Sequence, residues 1–249
     1  VSDARKRKMI LTDDECIELG RFNEEHDLTC IVHSMYLDIP WRNDEKDGWL
    51  AYPAMRFIKK ELKVCEIIGS IGLVIHLLEK NNYTNLEEDI VSLGKIETEA
   101  LIFLEVIATT PENAFYNTFE HIKLLFDIIN KHGLRDKFGL CIDTAHFHSM
   151  GVSLKTKNDA DVFLNCIRTL NLGEKLIFHL NDENHEIGSG LDKHECLLRG
   201  KMWEGIPIND SGLASIVKYI RAYNSVCIFE HGDIDDYEND YGVFNSFLG

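Results

Sequence analysis

Gly139-Leu-Cys-Ile-Asp143-Thr-Ala-His146 runs apolar for three residues and then presents a carboxylate and an imidazole three positions apart. Leu140 to Ile142 predicts a short buried strand. Asp143 and His146 then fall at and just past its carboxyl end, where α/β folds place their chemistry. Alone, an Asp-x-x-His after an apolar run is more often a turn with a surface histidine. The metal reading gains weight only if other strands end in the same way.

Five further runs end alike. Leu28 to Val32 is β-rich and ends at His33, and Leu73-Val-Ile-His76 closes on a second histidine. Ala100 to Leu104 closes with Glu105, Lys175 to Phe178 with His179, and Ser225 to Phe229 with Glu230. Between them lie helical patterns. Thr12-Asp-Asp-Glu15 is a capping box opening a helix through about His26. Leu50 to Ile68, stopped by Gly69, is a second helix; others fall near Asn85 to Ile96, Phe119 to His132, Ala160 to Leu172, Leu213 to Tyr223 and Val243 to Leu248. Six strands alternating with helices predict a parallel sheet, and at 249 residues a (βα) barrel of one domain. A barrel brings its strand ends into one bowl, so His33, His76, Glu105, Asp143, His179 and Glu230, taken in register, would converge. Uncompensated carboxylates there would repel one another. Bound ions hold such a set together, and nitrogen with carboxylate donors suits zinc or manganese.

Composition sets the limits. No run approaches the length of a membrane span, and the polar start Val1-Ser-Asp-Ala-Arg-Lys-Arg-Lys is not a signal peptide. Seven scattered cysteines, odd in number and without a CxxC pair, fit small buried hydrophobes in a reducing, intracellular compartment. The formal charge of −16 argues against a polyanionic partner at face value. It is not decisive, because each divalent ion returns two positive charges to a carboxylate site. Glu183-Asn-His-Glu186 and Asp233-Ile-Asp-Asp-Tyr-Glu238 read as solvated acidic loops.

Cys141-Ile-Asp143-Thr-Ala-His146, and more specifically His179-Leu-Asn-Asp182 followed by Gly188-Ser-Gly190-Leu-Asp192-Lys-His194-Glu195 and Gly200-Lys201, resemble the endonuclease IV family of apurinic/apyrimidinic endonucleases. The resemblance implies a TIM barrel and a three-zinc site, with manganese compatible in part. One zinc would lie on His33, His76 and Glu105; a second would share Glu105 with Asp143, His179 and Glu230; a third would take His146, Asp192 and His194. It further implies a monomer that incises duplex DNA 5′ to an abasic site, giving a 3′-hydroxyl and a 5′-deoxyribose phosphate, with Glu105, Asp143, His179 and Glu230 as the catalytic core. Family members bend DNA and flip the damaged nucleotide out. Tyr36 and Leu37 match the inserting positions, and Arg5 with Lys6 and Arg7 the first phosphate-contacting loop. Ordinary packing beside Pro40 and Trp41, and a solvated basic segment, are the plain alternatives.

The resemblance has departures. Six strands stand where the family has eight, so residues 1–249 are expected to form a single barrel domain lacking the first strand and most of the second. The turns after His76 (Leu77-Leu78) and after Glu105 (Val106 to Thr110) lack the family's glycines. The Tyr36-Leu-Asp-Ile-Pro-Trp41 stretch and compact loops are most similar to members from large DNA viruses. Two rival readings remain. A sugar isomerase or epimerase would share a metal core like Glu105, Asp143, His179 and Glu230, but not the group of His146, Asp192 and His194, nor His33 and His76. A DNA-binding protein without catalysis would retain abasic DNA uncut.

Overall fold

The computed structural model describes residues 2–3, 8–9, 11–34, 51–77, 83–230 and 233–247. They form two compact units, Val1–Glu105 with Leu125–Gly139, and Val106–Leu124 with Leu140–Gly249.

The first unit opens with an antiparallel ribbon of β1 (Ser2–Asp3) and β2 (Lys8–Met9). Helix α1 (Asp13–Glu25) starts as the capping box requires: the Glu15 N–H donates to the Thr12 hydroxyl, and Glu15 Oε2 accepts from the Thr12 N–H at 2.7 Å. There follow β3 (Cys30–His33), α2 (Ala51–Ile68), β4 (Ser70–His76), α3 (Tyr83–Gly94), β5 (Leu101–Glu105) and the latter part of α4 (Phe119–Lys131). Helix α2 buries Ile58, Leu62, Cys65 and Ile68, an apolar stripe at helical spacing. It ends at Gly69, whose φ of +68° is the left-handed conformation that stops a helix and favours glycine. Strands β3, β4 and β5 are parallel neighbours in that order. Leu73, Val74, Ile102 and Phe103 are fully buried, as expected of parallel strands covered on both faces.

The second unit contains β6 (Phe138–Asp143), α5 (Thr144–Ser149), α6 (Lys157–Arg168), β7 (Leu176–His179), a ribbon of β8 (Asp182–Glu183) and β9 (His194–Glu195), α7 (Gly212–Ala222), β10 (Val226–Ile228) and α8 (Ile234–Ser246). Its parallel strands run in the order β6, β7, β10. Helix α6 has a capping box of its own, Thr156 with Asp159, and buries Ala160, Leu164 and Ile167. Every residue of β6 and β7 is buried. Among the described residues no helix is long and apolar enough to cross a membrane, and all seven cysteines are free.

Four expectations are corrected. Asp233 to Glu238 is not a solvated loop. Asp233 caps α8, its carboxylate accepting from the Asp235 N–H at 3.1 Å, and Asp235 and Asp236 sit in the first turn, where the helix dipole favours negative charge. The terminal helix accordingly begins at Ile234 rather than Val243. Glu183 is fully buried because it accepts three hydrogen bonds: from the His185 N–H at 2.9 Å, from His185 Nδ1 at 2.7 Å and from the Lys193 N–H at 2.9 Å. Finally, the six strand ends are not all in register. His76 pairs with Glu105 and Asp143 with His179, but His33 lies opposite Val74, and β10 stops at Ile228, two residues before Glu230. Because these offsets are of two residues, His33 and Glu230 keep the facing of the others.

Candidate metal centre

In the first unit the ends of three strands meet at one carboxylate oxygen. Glu105, the last residue of β5, is fully buried. Its Oε2 lies 3.1 Å from His33 Nε2 and 3.2 Å from His76 Nε2. The two rings meet edge to face with centroids 4.9 Å apart. Strand β3 is held over β4 past its last residue by the Ser34 N–H donating to Val74 O at 2.8 Å. The Ser34 hydroxyl donates to Glu61 Oε2 at 2.6 Å, which explains a buried glutamate within the apolar stripe of α2. His33 Nδ1 lies 2.6 Å from Ser34 O. A carbonyl only accepts, so Nδ1 carries a proton, and Nε2 is the ring nitrogen turned toward the Glu105 carboxylate.

In the second unit Asp143 ends β6 and caps α5, its Oδ1 accepting from the His146 N–H at 3.0 Å. Its Oδ2 faces a ring of nitrogen: His194 Nε2 at 3.6 Å, His179 Nδ1 at 3.9 Å and His146 Nε2 at 4.0 Å. Glu230 Oε2 lies 3.2 Å from His179 Nδ1 and 3.8 Å from His194 Nδ1. Asp192, on the loop before β9, places Oδ1 3.0 Å from His194 Nε2 and Oδ2 3.6 Å from His146 Nε2. His146 Nδ1 lies 2.8 Å from Val106 O, which leaves Nε2 as the ring nitrogen facing Asp143 and Asp192. Donor atoms of Asp143, His146 and His194 all lie within 4.8 Å of one another.

Electrostatics reinforces the grouping. Burial lowers the basicity of His194, but the charge of Asp143 and the hydrogen bond and charge of Asp192 outweigh it and push its pKa up to about 9. Burial likewise works against ionisation of Asp192, yet the hydrogen bonds and charges of His146 and His194 hold it well below the usual carboxylate range. A zinc ion about 2.1 Å from each of its tetrahedral ligands would separate them by roughly 3.4 Å, and the observed nitrogen–oxygen separations bracket that value. The donor set, imidazole plus carboxylate without thiolate, suits zinc or manganese.

All nine expected ligands are thus placed, three in one unit and six in the other. Arg5, Tyr36 and Leu37 lie outside the described residues. Two further polar side chains, Asn181 within the His179-Leu-Asn-Asp182 motif and Glu183, read above as part of a solvated loop, belong to the same neighbourhood. Asn181, fully buried, and Glu183 are not flagged by ligand spacing; only their position beside His179 hints at them. The turn before Asp192 is set by Gly190, at φ +70°, where a Cβ would meet Thr110 Cγ2 at 2.5 Å and the Thr110 nitrogen at 2.7 Å.

Residues 2–237 match the family model of the xylose isomerase-like TIM barrel. The "Probable AP endonuclease" of African swine fever virus (isolate Tick/South Africa/Pretoriuskop Pr4/1996) is 32% identical over 239 residues, covering 92% of this chain and 76% of its own. The "Probable endonuclease 4" of Thermosipho melanesiensis is 29% identical over 258 residues, covering 98% of this chain and 86% of its own. The crystal structure of AsfvAP:AG superposes with a TM-score of 0.88 at 31% identity, covering 100% of this chain and 84% of that one. The chain has the TIM barrel fold, and it belongs to the xylose isomerase-like TIM barrel family and, within it, to the endonuclease IV group of AP endonucleases.

Proposed function

We propose that the chain is a DNA repair endonuclease that uses zinc to hydrolyse the phosphodiester 5′ to an abasic site in duplex DNA, leaving a 3′-hydroxyl and a 5′-deoxyribose phosphate. Relatives named as AP endonucleases and endonuclease 4 support the reading. The observation that carries it is the association of Asp192 and His194 with His146, beside Asp143. That group adds donors beyond the Glu, Asp, His, Glu core shared with sugar isomerases. In this reading three ions are held: one by His33, His76 and Glu105, one by Glu105, Asp143, His179 and Glu230, and one by His146, Asp192 and His194, with manganese compatible in part.

When bound, zinc supplies Lewis acidity toward the phosphoryl oxygens and activates water at neutral pH. The chain's own residues supply geometry. Carbonyls of Ser34 and Val106 hold Nδ1 of His33 and His146 and so orient both rings, and the cap on α5 fixes one oxygen of Asp143. Tyr36 and Leu37 are proposed to insert at the damaged nucleotide and Arg5 to contact phosphate, with residues 1–249 acting as one monomeric barrel domain.

The test is incubation with a duplex carrying one tetrahydrofuran abasic analogue, with and without chelator, alongside metal analysis. Close to three zinc-class ions per chain, chelator-sensitive incision on the 5′ side, and its loss in His179→Ala are expected. One ion per chain, turnover of a ketose, or retention of uncut DNA in the presence of zinc would each sink the reading.

A further inference from the structure

We propose that Asn181 is a positioning residue of the metal centre: a neutral side chain that holds the carboxylates of Asp143 and Glu230 at the spacing an ion needs. The proposal rests on the metal-centre reading above and is independent of the DNA substrate.

Asn181 lies two residues past His179 and is fully buried. Its amide has a defined orientation. The Glu230 N–H can only donate, so the atom 3.0 Å from it is Asn181 Oδ1. Nδ2 therefore faces the other way, and it donates to Asp143 Oδ2 at 2.8 Å and to Glu230 Oε2 at 3.2 Å. Two N–H bonds thus meet two carboxylates, one from the end of β6 and one from beyond the end of β10. The bridge falls where the sheet gives out. The β6–β7 and β7–β10 registers both finish at His179, so past that level no ladder spaces these ends.

The backbone of Asn181 is anchored as firmly as its side chain. Its N–H donates to Thr144 Oγ1 at 3.0 Å, and that hydroxyl donates to Asn181 O at 2.6 Å. Thr144 follows Asp143 directly, so one residue is tied to the ligand, to the residue after the ligand and to the second carboxylate. Asp143 is constrained at both oxygens, Oδ1 by the His146 N–H and Oδ2 by Asn181. A lysine or arginine here would relieve the repulsion between the carboxylates but would compete with a cation for them. An amide supplies donors without a net charge. Hydrogen bonds to metal-ligating carboxylates typically change metal affinity by about 10- to 100-fold.

The test reads zinc binding rather than incision. Metal-free Asn181→Ala and Asn181→Ser are titrated with zinc against a chromophoric chelator, with circular dichroism to establish folding. In whichever variant is folded, zinc is expected to bind at one class of site about 10- to 100-fold more weakly than in the parent. Parental zinc affinity in a folded variant overturns the proposal. A measurement on the unaltered chain does not depend on variants folding: in 15N-labelled metal-free protein the Asn181 side-chain amide protons should exchange slowly with solvent and shift on zinc addition. Fast exchange, or no shift, overturns it equally. A parent protein that binds zinc but leaves abasic duplex intact would remove the proposed function and leave this inference standing.

Discussion

One carboxylate of Asp143 serves two structures at once: Oδ1 accepts the His146 N–H at 3.0 Å and caps α5, while Oδ2 stands 4.0 Å from His146 Nε2 among three imidazoles. The spacing of three residues is thus a helix cap that also sets a carboxylate oxygen and an imidazole nitrogen side by side.

Removing either residue should therefore have unequal effects. His146→Ala should lose one ion per chain and keep the rest. Asp143→Ala should lose the ion shared with His179 and Glu230 and, by removing a cap that contributes about 1 kcal/mol, loosen the turn carrying His146. Metal analysis after gel filtration should find fewer ions in Asp143→Ala than in His146→Ala; equal counts contradict the division of labour.

Glu183→Gln replaces an acceptor-only group by one that must aim an N–H at a neighbouring N–H. Each of its oxygens already receives donors from His185 or Lys193. A loss of about 1–3 kcal/mol is expected in urea denaturation of the metal-free protein. Because Lys193 lies between Asp192 and His194, zinc binding at that end should weaken too; an unchanged denaturation midpoint would show that the loop does not depend on Glu183.

At Gly190 the positive φ and the nearness of Thr110 act together. Gly190→Ala should cost about 1–3 kcal/mol through strain and overpacking. The displacement should pass to Asp192, two residues on, and be read as faster zinc release to a chelator. A variant with parental release kinetics would separate the turn from the site.

Cys65, fully buried on α2, donates to Gly72 O at 3.5 Å, and burial pushes its thiol up to about 12. The unfolded chain loses this proton near pH 9, the folded chain only near pH 12. The contribution to stability is therefore intact below pH 9 and declines above it, by about 1.4 kcal/mol per pH unit until the folded value is reached. Iodoacetamide at pH 8.5 should leave Cys65 unmodified in the native protein and label it in urea, as read by mass spectrometry; native labelling would contradict this burial.

The strands are legible because apolar runs such as Leu73 to Ile75 and Leu140 to Ile142 are buried on both faces and stop abruptly at His76 and Asp143. Helix α5 was not legible: all six of its residues are buried, so it has no polar face and no 3.6-residue alternation to detect. Helix α8 was missed for the opposite reason. Its first turn is so acidic that Asp233, Asp235 and Asp236 read as a solvated loop, although an aspartate cap with acid in the first turn is itself a helix-start signal. Asn181 is buried against partners 37 to 49 positions away, and Glu183 against Lys193, ten positions away, as well as nearby His185, pairings that residue spacing does not encode. The two-residue offset of His33 and Glu230 is likewise invisible, since periodicity gives facing but not level.

The reach of Asn181 also bears on the order in which the molecule can be made. Its side chain contacts Asp143 across 38 positions and Glu230 across 49. Closing such loops is an entropic cost that must be met before any distant pair is rewarded. A cation cannot nucleate this assembly as it does in a small metal finger, because no short segment of the second unit presents Asp143, Asn181 and Glu230 together. An ion that takes Glu230 as a ligand would therefore load only after the ribosome has released that residue, later than one held by His33, His76 and Glu105.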